Sequence, residues 1–335
     1  MKVLVTGAGG FIGSHLCESL IKKNFKVRAL VRYNSTNSQG WIENLTHKNL
    51  EVVTGDITDF DSVNNAVSGC DYVFNLAASI SVPYSFKNPQ TFIDTNILGA
   101  LNVFRSCLVK KNKIKKVIQI SSSEVYGNNL KKNVNLLNED TITISESPYA
   151  ASKIAADNLA IAMHKSLDLP VIVARPFNTF GPRQSLRAVI PTIVSQFVKV
   201  EKSNDLIKVG NLNTTRDFVY VKDTVDGLIN LLKPSCKQGE IYNICTGRAH
   251  KIKNIINILK KITKKNPKII VSKKRFRKAE VFKLIGSNKK LLLFSKWKPK
   301  YVGNSNFTLA LKETYNWFKE EKNISKYSNI QKYNI

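Results

Sequence analysis

Val5-Thr6-Gly7-Ala8-Gly9-Gly10-Phe11-Ile12-Gly13 stands almost at the amino terminus. Gly7, Gly10 and Gly13 recur every third residue. Before them runs the apolar stretch "KVLVTG". After them comes a helical pattern that puts Phe11, Ile12, His15, Leu16, Leu20 and Ile21 near one face. A strand, a tight glycine turn and a helix start let backbone approach a pyrophosphate closely. The helix end adds free N–H groups and a positive dipole end. The stretch predicts a dinucleotide-binding unit with Gly7, Gly10, Phe11, Ile12 and Gly13 on the cofactor.

Further along, short Val- and Ile-rich runs alternate with helical patterns. "KVRALV", "EVVTGD", "DYVFNLA", "KVIQIS" and "PVIVARP" read as strands. "DSVNNAVSG", "TFIDTNILGALNVFRSCLVKKN" and "SPYAASKIAADNLAIAMHKSL" read as helices, the first with an aspartate cap. Strands buried on both faces and separated by helices predict an α/β fold, a Rossmann-type doubly wound parallel sheet. The rhythm loosens near Phe177. We therefore expect residues 1–176 to form the NAD(P)-binding domain. Residues 177–320 form a smaller substrate domain partly woven back into the first, and 321–335 form a polar tail that frays beyond Trp317.

The chain has 335 residues and is 43% hydrophobic, enough for a large core and against disorder. Its net charge of +28 comes from lysines scattered along the chain, often beside asparagine. No nucleic-acid motif accompanies them, so solvated faces are the reading and nucleic acid is not an expected partner. Five cysteines form no C-x-x-C pair, which fits a reducing, cytoplasmic setting. Four unclustered histidines give no metal site. No signal peptide and no run of membrane-spanning length is expected.

Two further patterns carry chemistry. The second strand ends in Arg32 with no acid, which by chemistry tips toward NADP rather than NAD. Asp56 and Ile57 follow the third strand, where an adenine edge could be met. "SPYAASK" holds Tyr149 and Lys153 four apart, on one helical face. An ammonium beside a phenol favours the phenolate, so Tyr149 is expected as a base with a lowered pKa.

In order, "TGAGGFIG", "GDITD", "NLAA", "DTNILGALNV", "SSSEVYG", "SPYAASK", "ARPFNTFGPRQ" and "TTRDFVYVKD" resemble the extended short-chain dehydrogenase/reductases, the NAD(P)-dependent nucleotide-sugar epimerases and dehydratases. The resemblance implies Tyr149 as the base for the sugar 4-hydroxyl, Lys153 as its electrostatic partner and Ser122 as the hydroxyl near O4. It implies Ala77, Ala78, Asn96 and Pro176 along the cofactor, and Asn178, Arg216 and Arg275 on the sugar diphosphate. Phe276 stands where a proline commonly follows that last arginine. Asn75 stands where many members have histidine. The cofactor is implied to be NAD or NADP, tightly bound and regenerated each cycle. A homodimer through a four-helix bundle is implied by the helices Asn96–Val109 and Tyr149–Ser166.

The residue after Ser122 separates reaction types. A 4,6-dehydratase needs a carboxylate to remove the C5 proton, and Glu124 is placed for it. Ser123 occupies the position where many dehydratases hold an aspartate, so Glu124 itself could carry the proton to the leaving C6 oxygen. Further segments resemble the N-acetylhexosamine 4,6-dehydratases of legionaminic-acid pathways, acting on UDP- or GDP-linked N-acetylglucosamine. UDP-glucuronate decarboxylase and 4-epimerase stay open as alternatives, as does a non-catalytic dinucleotide-binding regulator. The last is disfavoured by the joint presence of Ser122, Glu124, Tyr149 and Lys153.

Overall fold

The computed structural model describes residues 1–109, 112–129, 136–276 and 280–327. Seven parallel strands form the central sheet: β1 (Lys2–Thr6), β2 (Lys26–Arg32), β3 (Leu50–Gly55), β4 (Tyr72–Asn75), β5 (Lys116–Ile120), β6 (Val171–Pro176) and β7 (Ile241–Ile244). Their spatial order is β7-β6-β5-β4-β1-β2-β3. The order reverses at β1, so the crevice between the carboxyl ends of β1 and β4 is the switch point where such sheets bind ligands. In register, Thr6 faces Leu30 on one side and Asn75 on the other.

Period-two burial builds a core on each face of the sheet. Val3 and Val5 pack with Leu16 and Leu20 of the helix Phe11–Lys22. Leu4 points the other way, with Val63 of the helix Phe60–Val67 and Val103 of the helix Gly99–Leu108. Asp59 caps the helix Phe60–Val67 by accepting from Asp61 N. Every residue of β6 is buried, Arg175 among four apolar neighbours and a proline.

After Phe177 the chain sends β7 back beside β6, with Ile241 opposite Val173. A second tie is Lys116, whose buried ammonium donates to the carbonyls of Leu231 (3.1 Å), Lys233 (2.8 Å) and Cys236 (3.0 Å). The helices Val189–Lys199, Val221–Asn230 and Ile252–Thr263 also belong to the chain after Phe177.

Two expectations are corrected. The stretch read as one long helix from Thr91 is a short helix, Pro89–Phe92, a π-helix, Ile93–Leu98, and the helix Gly99–Leu108. A side chain within the π turn accounts for the irregularity below. The chain beyond Trp317 does not fray as far as Tyr327: the helix runs to Lys319, Glu321–Ile324 is helical, and Tyr327 is buried. Aromatic packing outweighs the polar composition there. Residues 328–335 of the expected tail lie outside the described residues.

Candidate active site

The glycine turn closes on itself. Gly7 has φ +64°, and Gly10 N donates to Gly7 O at 3.0 Å. A Cβ at Gly13 would collide with the Gly7 carbonyl oxygen, and one at Gly7 would press on the Ala77 backbone. Gly10 forms the N-cap of the helix with no side chain bonded to its first N–H groups. Glycines that admit no side chain, below an uncapped helix end, fit a dinucleotide pyrophosphate. Phe11 and Ile12 open that helix.

The rest of the expected cofactor wall assembles around the carboxyl ends of the strands. Asn75 resolves its departure from histidine. Its Oδ1 accepts from Thr6 Oγ1 at 2.7 Å, and its Nδ2 donates to Gln119 Oε1 at 2.7 Å. Three strands are thereby tied by buried amides, and Thr6 Oγ1 in turn accepts from Ala77 N at 3.0 Å. Ala77 and Ala78 are thus held beside Gly7. Arg32 is exposed and its Nε lies 3.6 Å from Asp56 Oδ2. The acid absent from β2 is therefore supplied alongside by the residue after β3. Asp56 also accepts from Thr58 N, while Ile57 is buried against Gly99.

Asn96, expected to face the cofactor, is committed elsewhere. Its Oδ1 accepts from Ser79 N at 2.8 Å, and its Nδ2 donates to Ser79 O and to Ser152 Oγ at 2.9 Å. The wider π turn brings this amide inward, where it fastens the loop after β4 to the helix Pro148–Leu167. Asn96 shapes the wall and has no spare donor for a ligand.

At the end of β5 the chain turns through Ser122 into a 3₁₀ turn, Ser123–Tyr126. Ser122 Oγ accepts from Glu124 N at 3.2 Å. Ser123 is buried, and Ser122 nearly so. The helix Pro148–Leu167 starts beside this turn, capped by Ser147 Oγ on Ala150 N with Pro148 in its first turn. That start places Tyr149 near Ser122 and within the field of the Glu124 carboxylate. The Phe92 ring meets Tyr149 edge-on at 6.1 Å.

The expected depression of the Tyr149 pKa is corrected. Burial pushes the phenol up to about 12, and the carboxylates of Glu124 and Asp157 raise it further against the Ser122 hydrogen bond. Lys153 Nζ donates to Ile120 O at 2.7 Å. Burial also draws the Lys153 ammonium down to about 8, with Asp157 opposing.

Sequence reasoning missed the support under this turn. Asp157, buried four residues after Lys153, accepts from Ser121 Oγ at 2.8 Å and from Arg175 Nε at 3.1 Å. Arg175 Nη1 donates to Tyr126 OH at 3.1 Å, and that hydroxyl donates to Asn243 Oδ1 of β7 at 2.8 Å. One buried ion pair therefore holds Ser121 and Tyr126, the two ends of the turn carrying Ser122, Ser123 and Glu124. Two signals were available: an arginine inside an apolar strand, and an acid one turn after Lys153.

Substrate-side candidates are less tightly gathered. Pro176 ends β6, and Asn178 opens the short strand Asn178–Phe180. Asn178 Oδ1 is buried without a hydrogen-bond partner, a site for a ligand donor. Arg216 is buried, with Nη2 3.7 Å from Glu280 Oε1. Arg275 stands exposed on the turn Lys273–Arg275.

Residues 4–306 match the family model described as GDP-mannose 4,6 dehydratase. The chain belongs to this family. Family relatives include dehydratases, epimerases and decarboxylases of nucleotide sugars. A dTDP-D-glucose 4,6-dehydratase of Dictyostelium discoideum is 34% identical over 78% of the chain, a match spanning 61% of that relative's length. A UDP-N-acetyl-alpha-D-glucosaminuronate decarboxylase of Bacillus cytotoxicus is 31% identical over 96% of the chain and 99% of its own. Among solved structures, UDP-glucuronic acid 4-epimerase of Bacillus cereus, in complex with UDP-glucuronic acid and NAD, superposes with a TM-score of 0.83 at 28% identity. That match covers 95% of this chain and 99% of the epimerase.

Proposed function

We propose that this family member is a nucleotide-sugar 4,6-dehydratase that converts UDP- or GDP-linked N-acetylglucosamine to the 4-keto-6-deoxy sugar. The observation carrying the reading is Glu124, a carboxylate held beside the Ser122–Tyr149 pair. An epimerase has no use for a further acid–base group there, whereas an elimination requires one. NAD or NADP is the cofactor; bound on the glycine turn, it supplies the hydride acceptor for C4 and the hydride returned to C6. Tyr149, as the phenolate that the positive charge of a bound oxidised nicotinamide and of Lys153 would favour, takes the 4-hydroxyl proton, with Ser122 orienting that hydroxyl. The C4 ketone acidifies C5–H. Glu124 removes that proton and delivers it to the C6 oxygen, which departs as water; when hydride returns to C6, C5 takes one proton through solvent, the equivalent of the proton Tyr149 then releases. Asn178 and Arg216 bind the sugar diphosphate, and Arg275 adds charge from the surface. The N-acetyl preference is supported by the nearly full-length likeness to an N-acetylated-sugar decarboxylase.

That same likeness favours decarboxylation as the second reading, since a site carboxylate is compatible with both. Incubation with a panel of nucleotide sugars decides. Loss of one water from UDP- or GDP-N-acetylglucosamine supports the proposal. Loss of carbon dioxide from a hexuronate, or an isobaric product, overturns it. Glu124→Gln should still reduce the cofactor with substrate yet stall before water loss. We also propose a homodimer, supported by exposed Ile93 and Leu98 on the π-helix. A monomer by light scattering would refute it. Among the described residues no helix is long and apolar enough to cross a membrane.

A further inference from the structure

The loop after β2 returns to the glycine turn. Trp41 N donates to Gly9 O at 3.0 Å. Gly9 and Gly40 touch backbone to backbone, so a Cβ on either would strike the other strand of chain. Gly40, at φ +65°, makes the bend that permits this approach. The exposed Asn34–Gln39 turn is thus closed at its far end on the glycine turn, next to where β2 presents the ribose-reading position.

What fixes Trp41 comes from the other end of the chain. Its ring meets Trp317 at 5.3 Å and Tyr327 at 5.6 Å, and Lys326 Nζ lies 5.2 Å above it. Tyr327 also packs on Phe318 at 5.7 Å, and its hydroxyl donates to Gln184 O at 3.1 Å. Tyr327 is 3% exposed, although the chain around it is polar. Nothing in sheet formation requires this docking, since β1 to β7 are complete by Ile244.

We propose that Trp317 and Tyr327 are positioning residues for the adenosine end of the dinucleotide, acting through Trp41. They hold the Asn34–Gly40 segment and Gly9 in the shape the cofactor needs, so that less ordering remains to be done on binding. The inference rests on the dinucleotide reading alone and is independent of the reaction that follows. Without the Tyr327 ring, one face of Trp41 is open to water and its backbone bond to Gly9 competes with solvent. The loop then orders only when the cofactor arrives.

Calorimetric titration of the full chain tests this, with NAD, NADP and ADP-ribose on wild type, Tyr327→Ala, Tyr327→Phe and Trp41→Leu. Tyr327→Ala is expected to bind both the preferred dinucleotide and ADP-ribose about tenfold more weakly, mainly through faster release. Tyr327→Phe, which keeps the ring, should stay within about twofold of wild type, as expected if the ring rather than the hydroxyl acts. Trp41→Leu should match or exceed the Tyr327→Ala loss. The thermal midpoint of the cofactor-free Tyr327→Ala protein should stay well above the assay temperature. Unchanged ADP-ribose affinity in Tyr327→Ala overturns the inference, as does a loss that merely tracks the unfolded fraction. A wild-type chain that binds no dinucleotide overturns the cofactor reading and this inference together, which separates the two failures.

Discussion

Replacing Asp157 by leucine removes one partner of a buried ion pair while roughly keeping its volume. Arg175, whose side chain is 4% exposed, would retain only the Tyr126 hydroxyl and the face of its ring, 5.0 Å away. Ser121 Oγ would lose its acceptor as well. Stripping one partner from such a pair costs about 3–5 kcal/mol, because the remaining charge is uncompensated in a poorly polarisable interior. Arg175→Met should cost about the same, by the same argument applied to the carboxylate. The double variant removes the Arg175 charge too, leaving two hydroxyls short of a partner and Lys153 without its nearby carboxylate, and should cost about 1–3 kcal/mol, less than either single change. Urea unfolding followed by circular dichroism gives all three values at pH 7. The reasoning fails if Asp157→Leu costs less than about 1 kcal/mol, or if the double variant costs as much as the sum of the singles.

Activity should have an alkaline limb near pH 8, where the Lys153 ammonium gives up its proton; Asp157→Asn should move that limb to lower pH, and an unmoved limb in kcat/KM profiles would exclude Asp157 as its electrostatic support. Gly13→Ala should abolish dinucleotide binding in a titration, because its Cβ meets the Gly7 carbonyl; normal binding would show that the turn yields. Asp217 accepts from Thr246 N and Oγ1, from Gly247 N and from Gly286 N, and burial lifts its carboxyl to about 6. The folded state then holds a proton that the unfolded chain has released, so this group's share of stability falls as pH rises from about 4 to about 6 and is constant above. Asp217→Asn should remove that slope and cost about 1–3 kcal/mol at pH 7, as donors lose their acceptor; parallel wild-type and variant urea midpoints across this range would contradict it.

The sheet and its helices were legible because their signals are local. Apolar runs such as Val171–Pro176 are long and bounded by turns, and the glycine turn marks one function at one place. Tyr149, Lys153 and Ser122 were singled out by spacing and resemblance. The buried Asp157–Arg175 pair was only half visible, since each residue carries a hint but their meeting depends on β6 lying next to β5. The bonds of Asn96 to Ser79 and Ser152 were not legible, because no composition rule marks the π turn that carries it. The lowered Tyr149 pKa was misjudged because spacing places a lysine on the same face without showing how deeply the phenol is buried. The carboxy-terminal packing escaped because polar residues surround the single Tyr327 that drives it.

The insertion of β7 has a consequence for synthesis. β6 carries six buried residues, yet its outer neighbour is encoded only after the long excursion from Phe177 to Glu240. While that excursion emerges from the ribosome, the nascent sheet ends in an unpaired, mostly apolar edge. Such an edge can capture another chain. Slowing elongation between Phe177 and Ile244 should therefore increase co-translational aggregation. Supplying the Ile241–Ile244 segment to nascent chains stalled within it should suppress that aggregation, which makes the order of strands along the gene a determinant of yield as well as of shape.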